Sequence, residues 1–183
     1  MADGSSPFEI ALRTGETEMA KLLLHKGADQ DAVDNFGYTP LYVATECGRA
    51  AAALALLDAG ADVSVRCGEP KMTALHVAAR AGGIEIMRAA IECGVDVDAV
   101  DASRKAALHS AAARDKVEAI DVLVEAGANI EAWDEGGWAP LCGAAYSPSP
   151  AALLALWKHG ADVDAKTAEE QTPLVLAVLI AGA

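Results

Sequence analysis

Apolar and polar positions along this chain fall into short blocks that return at a fixed interval. The block after residue 106 is the clearest. Leu108, Ala111 and Ala112 lie at helical spacing and predict a short helix with one apolar face. Asp115 interrupts it. Val117, Ile120, Leu123 and Val124 then face one way while Glu118, Asp121 and Glu125 face the other, which predicts a second helix. Gly127 ends that helix as the residue best able to turn left-handed. Ile130-Glu131-Ala132-Trp133 reads as extended chain, and Asp134-Glu135-Gly136-Gly137 supplies turn chemistry. The unit is therefore helix, tight turn, helix, and an extended loop with a hairpin-like turn.

The same unit recurs throughout. Gly27, Gly60, Gly94, Gly127 and Gly160 follow one another at intervals of 33 or 34 residues, each succeeded by a small residue and an acid or amide. Pro7, Pro40, Ala74, Ala107 and Pro140 precede them by a constant distance, and Pro173 opens a further unit. Stacked units must present the same shape at the same place. Ala11, Ala44, Ala78, Ala111, Ala144 and Ala177 do so without exception, because a larger side chain would push adjacent first helices apart. Leu23-Leu24, Leu56-Leu57, Ala90-Ile91, Leu123-Val124 and Leu156-Trp157 predict a second buried seam. Repeats of this length cannot bury their apolar faces alone, so they stack.

These residues resemble the ankyrin repeat, whose pattern opens with T-P-L-H, continues through alanine and leucine pairs and closes with G-A-D. Thr39-Pro40-Leu41-Tyr42, Thr73-Ala74-Leu75-His76 and Thr172-Pro173-Leu174-Val175 carry the opening with one or two changes. The resemblance covers residues 5–183. It implies an all-α ankyrin-repeat solenoid, with antiparallel helix pairs as its body and projecting hairpin loops that make a groove. One array over residues 1–183 is expected, with units near 5–37, 38–71, 72–104, 105–137 and 138–170 and a partial unit at 171–183.

Three departures from the pattern stand out. The loop within Cys67-Gly68-Glu69-Pro70-Lys71-Met72 has one extra residue and lacks the acid that Asp34, Asp101 and Asp134 supply elsewhere, so a reshaped tip is expected. Ser147-Pro148-Ser149-Pro150 replaces the glycine turn between helices, with Ser149 a candidate cap and Pro150 a first-turn residue. In the last unit, Leu174, Leu176, Val178, Leu179 and Ile180 are apolar in more than one direction. Either the chain is a fragment of a longer array, the preferred reading, or a partner covers that surface.

Composition narrows the function. Against 14 basic residues stand 27 acidic ones, a net charge of −13. An acidic body disfavours nucleic acid; it favours basic partners or simply keeps the array soluble, and both readings stay open. Cys47, Cys67, Cys93 and Cys142 have no short pairing interval, which argues against a zinc site or redox pair and for reduced thiols in a cytoplasmic or nuclear protein. The amino terminus lacks a secretory pattern and no run of about 18 apolar residues exists, so no membrane span is expected.

No constellation for catalysis is apparent, nor any small-molecule substrate, cofactor or metal. His76 and His109 occupy the last place of the family's opening, where the resemblance implies a bond to the adjacent loop. His25 and His159 sit near second-helix ends, as donors to exposed carbonyls. The position at which some ankyrin arrays carry a hydroxylated asparagine holds Asp31, Ser64, Asp98, Glu131 and Asp164 here, which disfavours that modification.

The expected function is non-catalytic protein–protein interaction by a monomer. The alternative is recognition within a larger catalytic or regulatory protein, such as a ubiquitin-ligase adaptor or a kinase-linked protein. The resemblance places partner contacts at hairpin tips and at the ends of first helices: Asn35, Phe36, Tyr38, Glu46 and Cys47; Glu69, Met72 and Arg80; Ser103, Lys105 and Arg114; Trp133, Glu135, Trp138 and Tyr146. Five of the chain's eight aromatics fall there. Trp133, Trp138 and Tyr146 with Glu135 would offer an aromatic surface with an acidic edge, suited to an apolar residue flanked by Lys or Arg; alternatively Trp133 and Trp138 pack on each other to stiffen the loop.

Overall fold

A computed structural model describes residues 6–147 and 150–181. Among them the chain forms eleven α-helices and no strand, with two isolated bridges in the loops. The helices are α1 (Pro7–Thr14), α2 (Thr17–His25), α3 (Pro40–Glu46), α4 (Ala50–Asp58), α5 (Ala74–Ala81), α6 (Ile84–Glu92), α7 (Ala107–Ala112), α8 (Val117–Glu125), α9 (Pro140–Tyr146), α10 (Pro150–Lys158) and α11 (Pro173–Ala181). The odd-numbered helices stack side by side as one layer and the even-numbered ones through α10 form a second layer behind them. Helices this short are marginal alone, so burial holds them.

The expected alanine seam is the centre of that burial. Ala11, Ala44, Ala78, Ala111 and Ala144 are all buried, and Ala177 half-buried. The second seam is less uniform. Leu56, Ala90, Leu123 and Leu156 are buried, but Leu23 and Leu24 are half-buried and Trp157 is 54% exposed. Adjacent helical residues point about 100° apart, so burial can differ within a pair: Leu56 and Leu57 are both buried, whereas Ala90, Leu123 and Leu156 are buried beside less buried neighbours.

Helix ends use several devices. Thr39 Oγ accepts the Tyr42 N–H at 3.3 Å, and Pro40 occupies the first turn. The turn after α7 has no glycine; Asp115 takes the left-handed conformation there (φ 56°), and its carboxylate accepts the Ala152 N–H at 2.7 Å. The first turn of α10 is thus capped from the preceding unit. Pro150 does open α10, while the expected cap Ser149 lies outside the described residues.

Candidate interaction surface

Three of the loops owe their shape to one carboxylate each. Asp34 Oδ1 accepts the N–H groups of Phe36 and Tyr38 at 2.8 and 2.9 Å. Asp101 does the same for Ser103 and Lys105, and Asp134 for Gly136 and Trp138. In the last loop the hydroxyl of Thr167 takes this place, accepting from Glu169 and Gln171. The loop without such a residue is indeed different. Cys67 and Met72 exchange two backbone hydrogen bonds, at 2.8 and 3.1 Å, and Gly68 and Lys71 both turn left-handed.

That pairing corrects one expectation. Met72 is 6% exposed and clusters with Tyr42, Cys67 and Val77. Bridging packs its side chain beneath the tip, where it lines the recess shared with Arg80 and Trp138 and is not exposed at the tip itself. Neighbouring tips are also tied together: Ala102 N–H donates to the Pro70 carbonyl at 2.6 Å, and Glu135 N–H to the Ser103 carbonyl at 2.9 Å. These bonds join the loops that follow α4, α6 and α8 into one ledge.

Loops are fastened to helices by the two buried histidines. The His76 Nδ1 accepts the Thr73 N–H at 3.3 Å and Nε2 lies 2.9 Å from the Lys105 carbonyl of the following loop. His109 repeats the arrangement with Ala106 and Trp138. With Nδ1 accepting, the ring is the neutral tautomer that donates from Nε2. Burial holds both imidazoles below the ordinary value of 6.5, more than the carbonyl bonds raise them. The loop bond expected from the family pattern is therefore present. His159 is otherwise placed: its Nε2 meets Asp121 Oδ1 at 2.7 Å, because α8 and α10 lie side by side, whereas a carbonyl role was expected. Cys67 and Cys142 are buried, Cys47 is half-buried and Cys93 exposed.

Two aromatic recesses open where loop tips meet the inner helices. The first is a cavity of about 380 Å³ lined by Phe36, Tyr38, Tyr42, Val43, Glu46 and Cys47 together with Arg13. Tyr38 stacks on Tyr42 with ring centres 4.9 Å apart, and Phe36 stands 74% exposed beside them. The second is lined by Trp138 and Tyr146, with Ser103, Lys105, Asp134 and Glu135. Trp138 meets Tyr146 edge-on at 5.1 Å. Trp138 thus has Tyr146 as its ring partner, and Trp133, 44% exposed, lines neither recess. Between the recesses Glu46 and Arg80 form an ion pair at 2.6 Å.

The structure therefore brings together Phe36, Tyr38 and Glu46 on one side and Ser103, Lys105, Glu135, Trp138 and Tyr146 on the other. Arg80 and Arg114 join Lys105 and Trp138 along α5, α7 and α9. Asn35 lies toward α1, in a cavity shared with Phe8 and Glu9, and Glu69 is exposed on the reshaped loop. Tyr42, Arg13 and Asp134 also line these recesses, although the sequence pattern singles out none of them as a contact residue. Tyr42 replaces the histidine of the family's opening, and that change was its available signal.

A family profile described as ankyrin repeats (3 copies) matches residues 1–67 and 66–134. The chain belongs to the ankyrin-repeat family. Among curated proteins it is similar to the mouse B-cell lymphoma 3 protein homolog, with 37% identity over 100 residues, 52% of this chain and 22% of that protein. The Caenorhabditis elegans homolog of transient receptor potential cation channel subfamily A member 1 is 34% identical over 102 residues, 56% of this chain and 8% of its own length. E3 ubiquitin-protein ligase KEG of Arabidopsis thaliana is 34% identical over 102 residues, 55% of this chain and 6% of its own. The chain thus matches a minor part of each of these relatives. Ankyrin repeats generally mediate protein–protein interaction and are typically non-catalytic. No helix among the described residues is long and apolar enough to cross a membrane.

Proposed function

We propose that this ankyrin-repeat chain is one continuous non-catalytic array that holds a protein partner in the groove between its loop ledge and inner helices, centred on Trp138 and Tyr146. The observation that carries this reading is the Trp138–Tyr146 pair: two large rings set at the mouth of an open recess, with Tyr146 55% exposed. Aromatic side chains of this kind commonly anchor interfaces. The tied tips support it, because a ledge fixed by backbone bonds loses little freedom on binding. An intracellular setting suits the free cysteines.

A second reading, recognition within a larger catalytic or regulatory protein, is favoured by the relatives, one of which is named as a ubiquitin ligase. The two readings share the same surface. The test is affinity capture with the wild-type chain, Trp138→Ala/Tyr146→Ala, and Trp133→Ala as control. Loss of the captured protein with the double variant alone supports the groove; equal capture by all three contradicts it.

A further inference from the structure

Trp138 stands between two recesses of opposite charge. On the tip side, a cavity of about 600 Å³ is lined by Lys105 against Asp134 and Glu135. On the helix side, a cavity of about 230 Å³ shares Lys105, Asp134 and Trp138 but adds Arg80 and Arg114, so three cations face one carboxylate. This basic excess occurs in a chain whose net charge is −13. Nor does Asp134 answer it freely. Its Oδ1 accepts two backbone N–H groups, its Oδ2 lies 3.8 Å from Lys105 Nζ, and its side chain is 9% exposed.

Glu46 satisfies Arg80 from outside the cavity. Arg114 is exposed, and among the described residues no ion pair engages it. Room for a ligand there comes from small side chains. Ser110 and Gly143 stand where the preceding inner helix has Val77, and Ala113 stands between Arg80 and Tyr146 in the same register.

We propose that the segment bound in this groove is charge-asymmetric: an apolar side chain against Trp138 and Tyr146, a Lys or Arg on the tip side toward Glu135, and an Asp or Glu on the helix side toward Arg114. This rests on the groove reading above and adds a direction to it. A wholly basic segment, the partner that net charge alone suggests, would bring a cation against Arg80, Lys105 and Arg114. Like charges at an interface are rejected, whereas a guanidinium without a partner can grip a carboxylate through two parallel hydrogen bonds. Local charge therefore sets the register, while the acidic body acts at longer range.

The probe is a library of random dodecapeptides displayed and selected on the full chain, on Arg114→Glu and on Trp138→Ala, each first checked for wild-type melting. Wild-type selection is expected to enrich an acid on one side of an apolar residue and a base on the other. In the best synthetic peptide, replacing that acid by Lys should weaken binding about tenfold, and Arg114→Glu should abolish or reverse the preference. Acids absent, placed on both sides alike, or equally enriched on Arg114→Glu would overturn the charge asymmetry while leaving the groove standing. Identical peptides from wild type and Trp138→Ala, or none at all, would overturn the groove reading and this inference with it.

Discussion

His76 and Lys105 are joined across a repeat boundary: the imidazole Nε2 of the one lies 2.9 Å from the backbone carbonyl of the other. The bond exists in this form only while the ring is neutral at Nδ1, where the Thr73 N–H is accepted. Burial keeps His76 and His109 below 6.5 in the folded chain. The unfolded chain therefore takes up protons first as pH falls. The contribution of these histidines is complete above about 6.5 and declines as pH drops below it. Melting temperature should fall between pH 7 and pH 5, and His76→Gln/His109→Gln should melt lower at pH 7 yet with a flatter slope. An unchanged slope in the double variant would show that other groups govern this window.

Ala111 sits fully buried in the seam between α5, α7 and α9. Leucine there should overpack the stack and cost on the order of 1–3 kcal/mol. Urea denaturation of Ala111→Leu beside the parent measures it. Equal midpoints would mean that the seam is loose enough to yield.

Gly127 and Gly137 separate two kinds of glycine requirement. Both are left-handed, at φ 90° and 69°. A Cβ at Gly127 meets nothing within 4 Å, whereas at Gly137 it would lie 2.9 Å from the backbone nitrogen of Ala168. Gly127→Ala should therefore cost only conformational strain, about 1–2 kcal/mol. Gly137→Ala should cost more, because the next loop must also move. Equal losses in thermal unfolding would show that the two loops separate freely.

The outer turns are linked by a carboxylate ladder with one missing rung. Asp31 accepts the Asp62 N–H at 2.9 Å, Asp98 the Asn129 N–H at 2.9 Å and Glu131 the Asp162 N–H at 2.8 Å. Ser64 is too short to reach onward and bonds Asp62 instead, at 2.7 Å. Ser64→Asn should restore the rung and add about 0.5–1 kcal/mol of stability, while Asp98→Ala should remove a comparable amount. A destabilised Ser64→Asn would mean that the Ser64–Asp62 bond matters more than the ladder.

How much of this was legible in the sequence follows from what repetition enforces. Alanine at one register and glycine after each second helix must recur, because every unit meets a copy of itself; Ala111 and Gly127 could therefore be read from spacing. The Asp34, Asp101 and Asp134 turns were visible for the same reason. Contacts between units that differ were not. Met72 looked like a tip residue until its pairing with Cys67 turned it inward, and His159 meets Asp121 only because two outer helices lie side by side. Trp138 pairs with Tyr146 and not with Trp133, a choice between two nearby aromatics that depends on side-chain direction and that spacing alone does not decide. The basic recess was hidden because its cations come from three separate units.

In the proposed function, partners engage the groove at Trp138 and Tyr146. Hydrogen exchange of the full chain, alone and saturated with a partner or a selected peptide, tests it most directly. The account predicts slowed exchange concentrated in residues 103–114 and 134–146, with the outer helices α4, α6 and α8 unchanged. Protection confined to those outer helices, with the groove exchanging as in the free chain, would contradict it.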